Sequence, residues 1–252
     1  MSVEHDLDFE NLSHWQQLPL GRLVAELEAP VMASFTADLF GYHLIQLGDL
    51  GATAHHLEAC PIRAKSVVAI NGLANARAPA AVFESFRLPV ATDSIDALIL
   101  PHVLEFSADP YQLLREADRV LIPEGRLLVC GFNPISLWGL RKMLPGGRKQ
   151  MPWRGQFLSF PRVQDWMSLM GFDIERVEVC MFRPPFANER MLRRSAFLDR
   201  YGERFWPMLA GVYLVRAVKR VSTLRLVEPR WRRLRTTPAG AIEPTTRALP
   251  RG

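Results

Sequence analysis

The chain is short of cysteine. Only Cys60, Cys130 and Cys180 occur in 252 residues. They are widely spaced, with no Cys-x-x-Cys pair and no nearby histidine, which excludes a disulfide framework and a cysteine-based zinc site. A reducing, cytoplasmic setting is the simplest expectation. Cys130 and Cys180 fall in apolar runs, where a thiol packs as a small hydrophobe. Long hydrophobic runs are missing too. The longest, Met208–Val215, is far short of the roughly 20 residues that a membrane-spanning helix needs. The opening residues, Met1-Ser-Val-Glu-His-Asp-Leu-Asp, are acidic and lack an apolar stretch, so no secretory signal is expected. The 16 glycines and 19 prolines follow no period, and no internal repeat of 20 to 50 residues is found, which excludes fibrous and solenoid architectures. Disorder over the whole chain is excluded by the 48% hydrophobic content.

Acidic residues are scarce at one end only. Residues 216–252 hold ten Lys and Arg against two Asp and Glu, while residues 1–215 carry a net charge of −3. The overall charge of +5 therefore belongs to the last segment. Apolar periodicity disappears from Pro229, so 229–252 read as a flexible basic tail. A solvated tail is the simplest meaning. Weak contact with anionic lipid or RNA through Arg230, Arg232, Arg233 and Arg235 is the alternative.

What the rest contains is an alternation of strand and helix signals. Residues 1–17 form a polar lead. Apolar residues then recur at helical spacing (Leu20, Leu23, Val24, Leu27, Val31, Phe35, Leu39), and Pro30 predicts a break into two short helices. Gly41 stands where a glycine would end the second. Strands are predicted over Tyr42–Leu47, Ser66–Ile70, Val82–Phe86 (the weakest), Ile95–Leu100, Arg126–Phe132, Phe172–Met181 and Gly211–Val218. The near-continuous apolar character of Ile95–Leu100 belongs to strands covered on both faces. Ala52–Ala59 and Asn188–Arg204 are helix-compatible. Asp109 caps a helix with Pro110 in its first turn and a stripe of Leu113, Leu114, Ala117, Val120 and Leu121. Pro123-Glu-Gly125 predicts a turn. Residues 133–160 read as an insertion with one helix over Ile135–Met143. Pro161 opens a further helix with Val163, Trp166, Met167 and Met170 on one stripe, ending at Gly171. This pattern predicts a mostly parallel α/β sheet with helices on both faces. The organisation is residues 1–40 as lead and capping helices, 41–228 as the α/β domain, with 133–160 as its substrate lid, and 229–252 as the tail.

Ligands of such sheets bind at the carboxyl ends of the strands. The first strand exits into Gly48-Asp49-Leu50-Gly51, where glycine lets a backbone approach a nucleotide-like ligand. An ordinary strand-to-helix turn is the competing reading. No Gly-x-Gly-x-x-Gly is present, and Asn71, leaving the second strand, brings no charge to a ribose, so a nicotinamide-dependent oxidoreductase is a distant possibility.

The stretch Phe86–Val129 is more specific. It contains Leu88-Pro89, Asp93-Ser-Ile-Asp96, His102-Val-Leu-Glu105, Asp109-Pro110 and Arg119-Val-Leu-Ile-Pro-Glu-Gly125, and Gly171-Phe-Asp-Ile-Glu follows later. In this combination the chain resembles the type 11 group of class I S-adenosylmethionine-dependent methyltransferases over about residues 42–181. Phe132-Asn-Pro-Ile-Ser-Leu-Trp-Gly-Leu-Arg141 looks like a narrower bacterial branch. The resemblance implies a Rossmann-like fold with seven strands, the last antiparallel, and S-adenosyl-L-methionine as cofactor. It implies cofactor contacts at Gln46, Gly48, Asp49, Gly51 and Asn71, at Glu84, Ser85 and Phe86 near the adenine, and at Pro101 and His102.

Departures accompany the match. The first-strand positions that the family fills with an acid and three glycines read Gln46, Gly48, Leu50 and Ala52. They sustain an alternative, a methyltransferase-like binding or regulatory module without catalysis. His102 leaves the fourth strand beside the expected methyl position. It reads as an orienting group or base for a small-molecule acceptor, or as a packed strand-end histidine. Glu105 reads as a neighbouring helix-entry carboxylate. Asn133, Trp138 and Trp153 read as substrate-contacting residues of the insertion, with packing as the competing role for both indoles. Asn133-Pro134 follows the wrong strand for the Asn-Pro-Pro-Tyr signature of amino-group methylation. No metal is expected.

Overall fold

The computed structural model describes residues 12, 14–48, 57–68, 88–145, 150–186 and 188–221. The chain divides into units 1–221 and 222–252, so the tail and its arginines from Arg230 onward lie outside the described residues. In the first unit six strands form one sheet: β1 His43–Leu47, β2 Ala64–Val68, β3 Ile95–Pro101, β4 Leu121–Phe132, β5 Phe172–Cys180 and β6 Val212–Lys219. Their order is β2-β1-β3-β4-β6-β5. β1, β2, β3 and β4 are parallel, and β6 runs antiparallel to both β4 and β5. This is the Rossmann-like arrangement with an antiparallel final strand. The weak strand over Val82–Phe86, which would make a seventh, lies outside the described residues.

Each sheet face is covered by its own core. One face packs Leu44, Ile99, Leu128 and Leu214 with Val24, Met32 and Phe35 of α1 (Pro19–Thr36). The other packs Leu98, Leu100, Val129 and Val215 against α2 (Pro110–Val120) and α4 (Phe160–Leu169). Adjacent residues such as Leu98 and Ile99 thus serve opposite cores, which is why β3 reads as a continuous apolar run. Asp109 caps α2 by accepting from the Gln112 amide at 3.0 Å, and Pro110 fills its first turn. β5 is an edge strand, as is β2, and the exposed charged residues of β5 discourage further pairing.

Several local expectations are corrected. Residues 19–36 form one helix, not two, with Pro30 inside it. Pro30 is exposed, so water can serve the carbonyl that lacks its amide partner, while the buried stripe continues on both sides of it. Gly41 is not the helix terminus, since α1 ends at Thr36. Gly41 has φ of +140°, and a Cβ there would fall 2.2 Å from the Asp96 carboxyl carbon. Asp96 uses this approach to accept from the amides of Tyr42 and His43, both at 2.9 Å. β4 starts at Leu121, and the expected Pro123–Gly125 turn is a bulge within it, where pairing jumps from Ile95–Leu121 to Ala97–Arg126. The 188–204 helix is two, α5 (Glu189–Arg194) and α6 (Phe197–Phe205), and the insertion helix α3 spans Leu137–Met143.

The charged residues of the family-like stretch are architectural. Lys219 donates to Asp93 (2.9 Å) and to the carbonyls of Asp118 and Leu121, tying β6 to the α2–β4 junction. Arg119 donates to the carbonyls of Leu88 and Val90 and to Glu116, whose other bond accepts the Leu88 amide.

Candidate active site

The carboxyl ends of β1, β3 and β4 converge on one place. β1 ends into Gly48, whose amide donates to Val68 at 2.8 Å. Gly48 has φ of +86°, a left-handed conformation that favours glycine. Among the described residues a Cβ there would meet Val103 Cγ2 at 3.7 Å, an ordinary contact. Gln46 is fully buried and donates from Nε2 to the Gly48 carbonyl at 3.0 Å, pinning the turn. Asp49, Gly51, Asn71, Glu84, Ser85 and Phe86 lie outside the described residues.

β3 ends at buried Pro101, and His102 follows with φ of +52°, sparsely populated for a residue with a side chain. Its amide donates to the Cys130 carbonyl at 3.1 Å. The imidazole is held at both nitrogens. Nε2 is 2.8 Å from Glu28 Oε1 and Nδ1 is 3.2 Å from Glu105 Oε1. All three side chains are at most 2% exposed. Burial opposes the charged imidazole, but the Glu28 charge and the hydrogen bonds to Glu105 and Glu28 outweigh it and push His102 up from 6.5 to about 10. His102 is therefore an imidazolium at neutral pH. Glu105 is buried, not an exposed helix-entry carboxylate. Its Oε1 also accepts the Phe132 amide at 2.6 Å, and its Oε2 has no partner among the described residues. Two carboxyl groups thus flank one imidazole, and among the described residues one of their oxygens has no partner.

An aromatic wall adjoins this triad. Phe132, the last residue of β4, stacks on His102 with centroids 4.2 Å apart, and on its other contacts meets Trp138 at 5.5 Å and Phe157 at 5.2 Å. Trp138 and Trp153 stack at 5.7 Å. Both indoles are buried, and their N–H groups donate to the Arg183 and Trp138 carbonyls. Asn133 points elsewhere. It donates to the Met208 and Ala210 carbonyls and accepts the Ile135 amide. Cys130, between β4's apolar neighbours, is a packed thiol that burial pushes well above its usual range. The sequence-expected Gly48, Pro101 and His102 thus come together, and the two tryptophans reach them through Phe132.

Glu28 was not anticipated. Its signal was present, because Leu20, Val24, Glu28 and Met32 follow at intervals of four, a carboxylate inside an apolar stripe. No group of three or more His, Cys, Asp or Glu suited to a metal ion exists among the described residues. No described helix is long and apolar enough to cross a membrane.

Residues 41–129 match the family model described as a methyltransferase domain. A 162-residue stretch is 40% identical to the uncharacterized protein YafS of Escherichia coli (strain K12), spanning 64% of this chain and 65% of that protein. The fold is similar to a methyltransferase from Thermotoga maritima described as a possible histamine N-methyltransferase, with TM-score 0.54 at 18% identity over 79% of this chain and 92% of that one. It is also similar to a Mesorhizobium loti S-adenosylmethionine-dependent methyltransferase (TM-score 0.51, 16% identity, 76% and 97%). The [4+2]-cyclase SpnF shares it as well (TM-score 0.51, 18% identity, 77% and 80%). These likenesses establish the fold, which by itself does not choose a reaction.

Proposed function

On the premise that residues 41–129 form a class I S-adenosylmethionine-dependent methyltransferase domain, we propose that the chain binds S-adenosyl-L-methionine and methylates a small-molecule acceptor. The observation that carries this reading is the meeting of the Gly48 turn, beside Val103, with the buried His102–Glu105 pair at the exit of β3, where Glu105 Oε2 has no partner among the described residues. A buried unpaired carboxylate oxygen is costly unless a cation or donor meets it. A sulfonium-bearing ligand suits that oxygen, and the left-handed Gly48 turn at the exit of β1 suits its nucleotide end. When bound, the cofactor supplies an electrophilic methyl group whose transfer needs in-line placement more than an acid or base.

The chain's own residues do the placing. Gln46 holds the Gly48 carbonyl at the exit of β1, and Pro101 and His102 form the opposite border. Asp49, Gly51, Asn71 and Glu84–Phe86 complete the proposed cofactor contacts. His102, an imidazolium held at both nitrogens, cannot accept a proton. It serves as a positioning residue that keeps Glu105 and the Phe132 ring in place. Trp138 and Trp153 support the aromatic wall, which excludes water from the site.

Calorimetric titration with S-adenosylmethionine and S-adenosylhomocysteine tests the reading. Saturable heat is expected with both, and Gly48→Asp should abolish it by placing a side chain and a negative charge at the backbone approach. No heat at millimolar cofactor overturns the proposal. Methyl-labelled cofactor incubated with a small-molecule extract then reports transfer. Binding without labelled product would leave a cofactor-binding module.

A further inference from the structure

We infer that the rim formed by α6 and the following 3-10 turn, Pro207–Leu209, is a docking surface for an anionic lipid bilayer. The carrying observation is the run Phe205-Trp206-Pro207-Met208-Leu209, five consecutive apolar residues, all exposed. Phe205 is 60% exposed, Trp206 54%, Met208 76% and Leu209 47%. Single exposed hydrophobes are ordinary on protein surfaces, but a continuous run marks an interaction site.

The run extends a designed face of α6. Phe197, Tyr201 and Phe205 are spaced by four and so lie on one side of the helix, all more than half exposed. The opposite side anchors the helix. Asp199 accepts the Phe182 amide at 2.9 Å and pairs with Arg183 at 2.5 Å. Gly202 lies so close to Phe182 that a Cβ would fall 2.3 Å from its ring. The aromatic face is therefore turned away from the core by the way the helix is fastened. Asn133 bonds the Met208 and Ala210 carbonyls, which joins the turn to the loop bearing Ile135, itself 58% exposed.

Charge selects the occupant. Arg200 and Arg204 stand three positions after Phe197 and Tyr201 and flank the aromatic stripe. Arg190 and Arg194 precede it on α5. All four are exposed, and among the described residues no ion pair holds any of them. Glu203 is the one exposed acid between Phe197 and Leu209. Arginines with Trp, Tyr and Phe at one level match the phosphate and carbonyl layer of a bilayer, where aromatic rings sit at headgroup depth. A second copy of the same face would set these arginines against each other. No described helix is long and apolar enough to cross a membrane, and the contact proposed is with the bilayer surface. This inference does not depend on methyl transfer.

The test is co-sedimentation of the full chain with vesicles of phosphatidylcholine and phosphatidylglycerol, with phosphatidylcholine alone as control. Binding to the mixed vesicles is expected, falling with salt. The double variants Phe205→Ser/Trp206→Ser and Arg200→Glu/Arg204→Glu should each weaken it by about tenfold or more at unchanged thermal midpoint, because every altered side chain is exposed. Absence of binding to mixed vesicles overturns the inference. So does equal binding of parent and variants, which would assign the contact to another segment. A concentration-dependent dimer dissolved by Phe205→Ser/Trp206→Ser, without vesicle binding, overturns it in favour of a second copy.

Discussion

Glu28 Oε1 lies 2.8 Å from His102 Nε2, across 74 positions of chain, with both side chains buried. The bond fastens α1 to the exit of β3, and through Glu105 it reaches the Phe132 amide at the end of β4. One imidazole thus joins a covering helix to two neighbouring strands at the place where the site is proposed.

Removing one partner of this pair should be costly. Glu28→Ala leaves a buried imidazolium with less compensation, and breaking a buried ion pair costs about 3–5 kcal/mol. Glu28→Gln retains a hydrogen-bonding oxygen and should cost less. Urea unfolding measures both. A Glu28→Ala midpoint equal to that of the parent would show that the pair does not hold α1.

The same triad sets a pH dependence. His102 is raised from 6.5 to about 10 in the folded chain, so folding binds its proton more tightly. Its stabilisation is complete below pH 6.5 and is lost as pH rises through about 10. The parent should therefore lose thermal stability between pH 7 and 10 relative to His102→Gln, whose side chain does not titrate. Parallel curves for the two proteins over that range would contradict the charge assignment.

Pro30 offers a test in the opposite direction. It is exposed inside α1, and proline there removes the bond to the Glu26 carbonyl. Pro30→Ala should restore that bond and raise the thermal midpoint by a few degrees, with a gain below the roughly 3 kcal/mol of proline's full helix penalty. A lowered midpoint would mean that packing of α1 needs the bend.

Gly139 is the steric pivot of the insertion. A Cβ there would fall 1.8 Å from the Pro134 carbonyl oxygen, behind the Ser136 cap that starts α3. Gly139→Ala should shift α3 and disturb the Trp138–Trp153 stack, costing about 1–3 kcal/mol. Near-ultraviolet circular dichroism and thermal melting read the two effects. An unchanged aromatic signal would show that the helix moves independently of the indoles.

The resemblance in the sequence rested on Asp93, Asp96, Leu88-Pro89 and Arg119, and the structure assigns each a part in joining elements. In this chain they tie β1 to β3 and β6 to the start of β4. They speak for the fold more strongly than for the chemistry. Glu105 was noticed in sequence but its burial was not, because exposure of a residue just after a strand depends on what covers it. Here His102, itself bonded to Glu28 of α1, lies against it.

The sequence by itself determined the alternation of strands and helices, the covering of both sheet faces and the Asp109–Pro110 start of α2, because periodicity, caps and β-propensity act between near neighbours. Tertiary structure decided that Pro30 stays within one helix, that Gly41 yields to Asp96, and that Glu28, His102 and Glu105 form one buried charged set. Those outcomes depend on which surfaces meet. A carboxylate in an apolar stripe acquires its meaning only when a partner of opposite charge is folded against it.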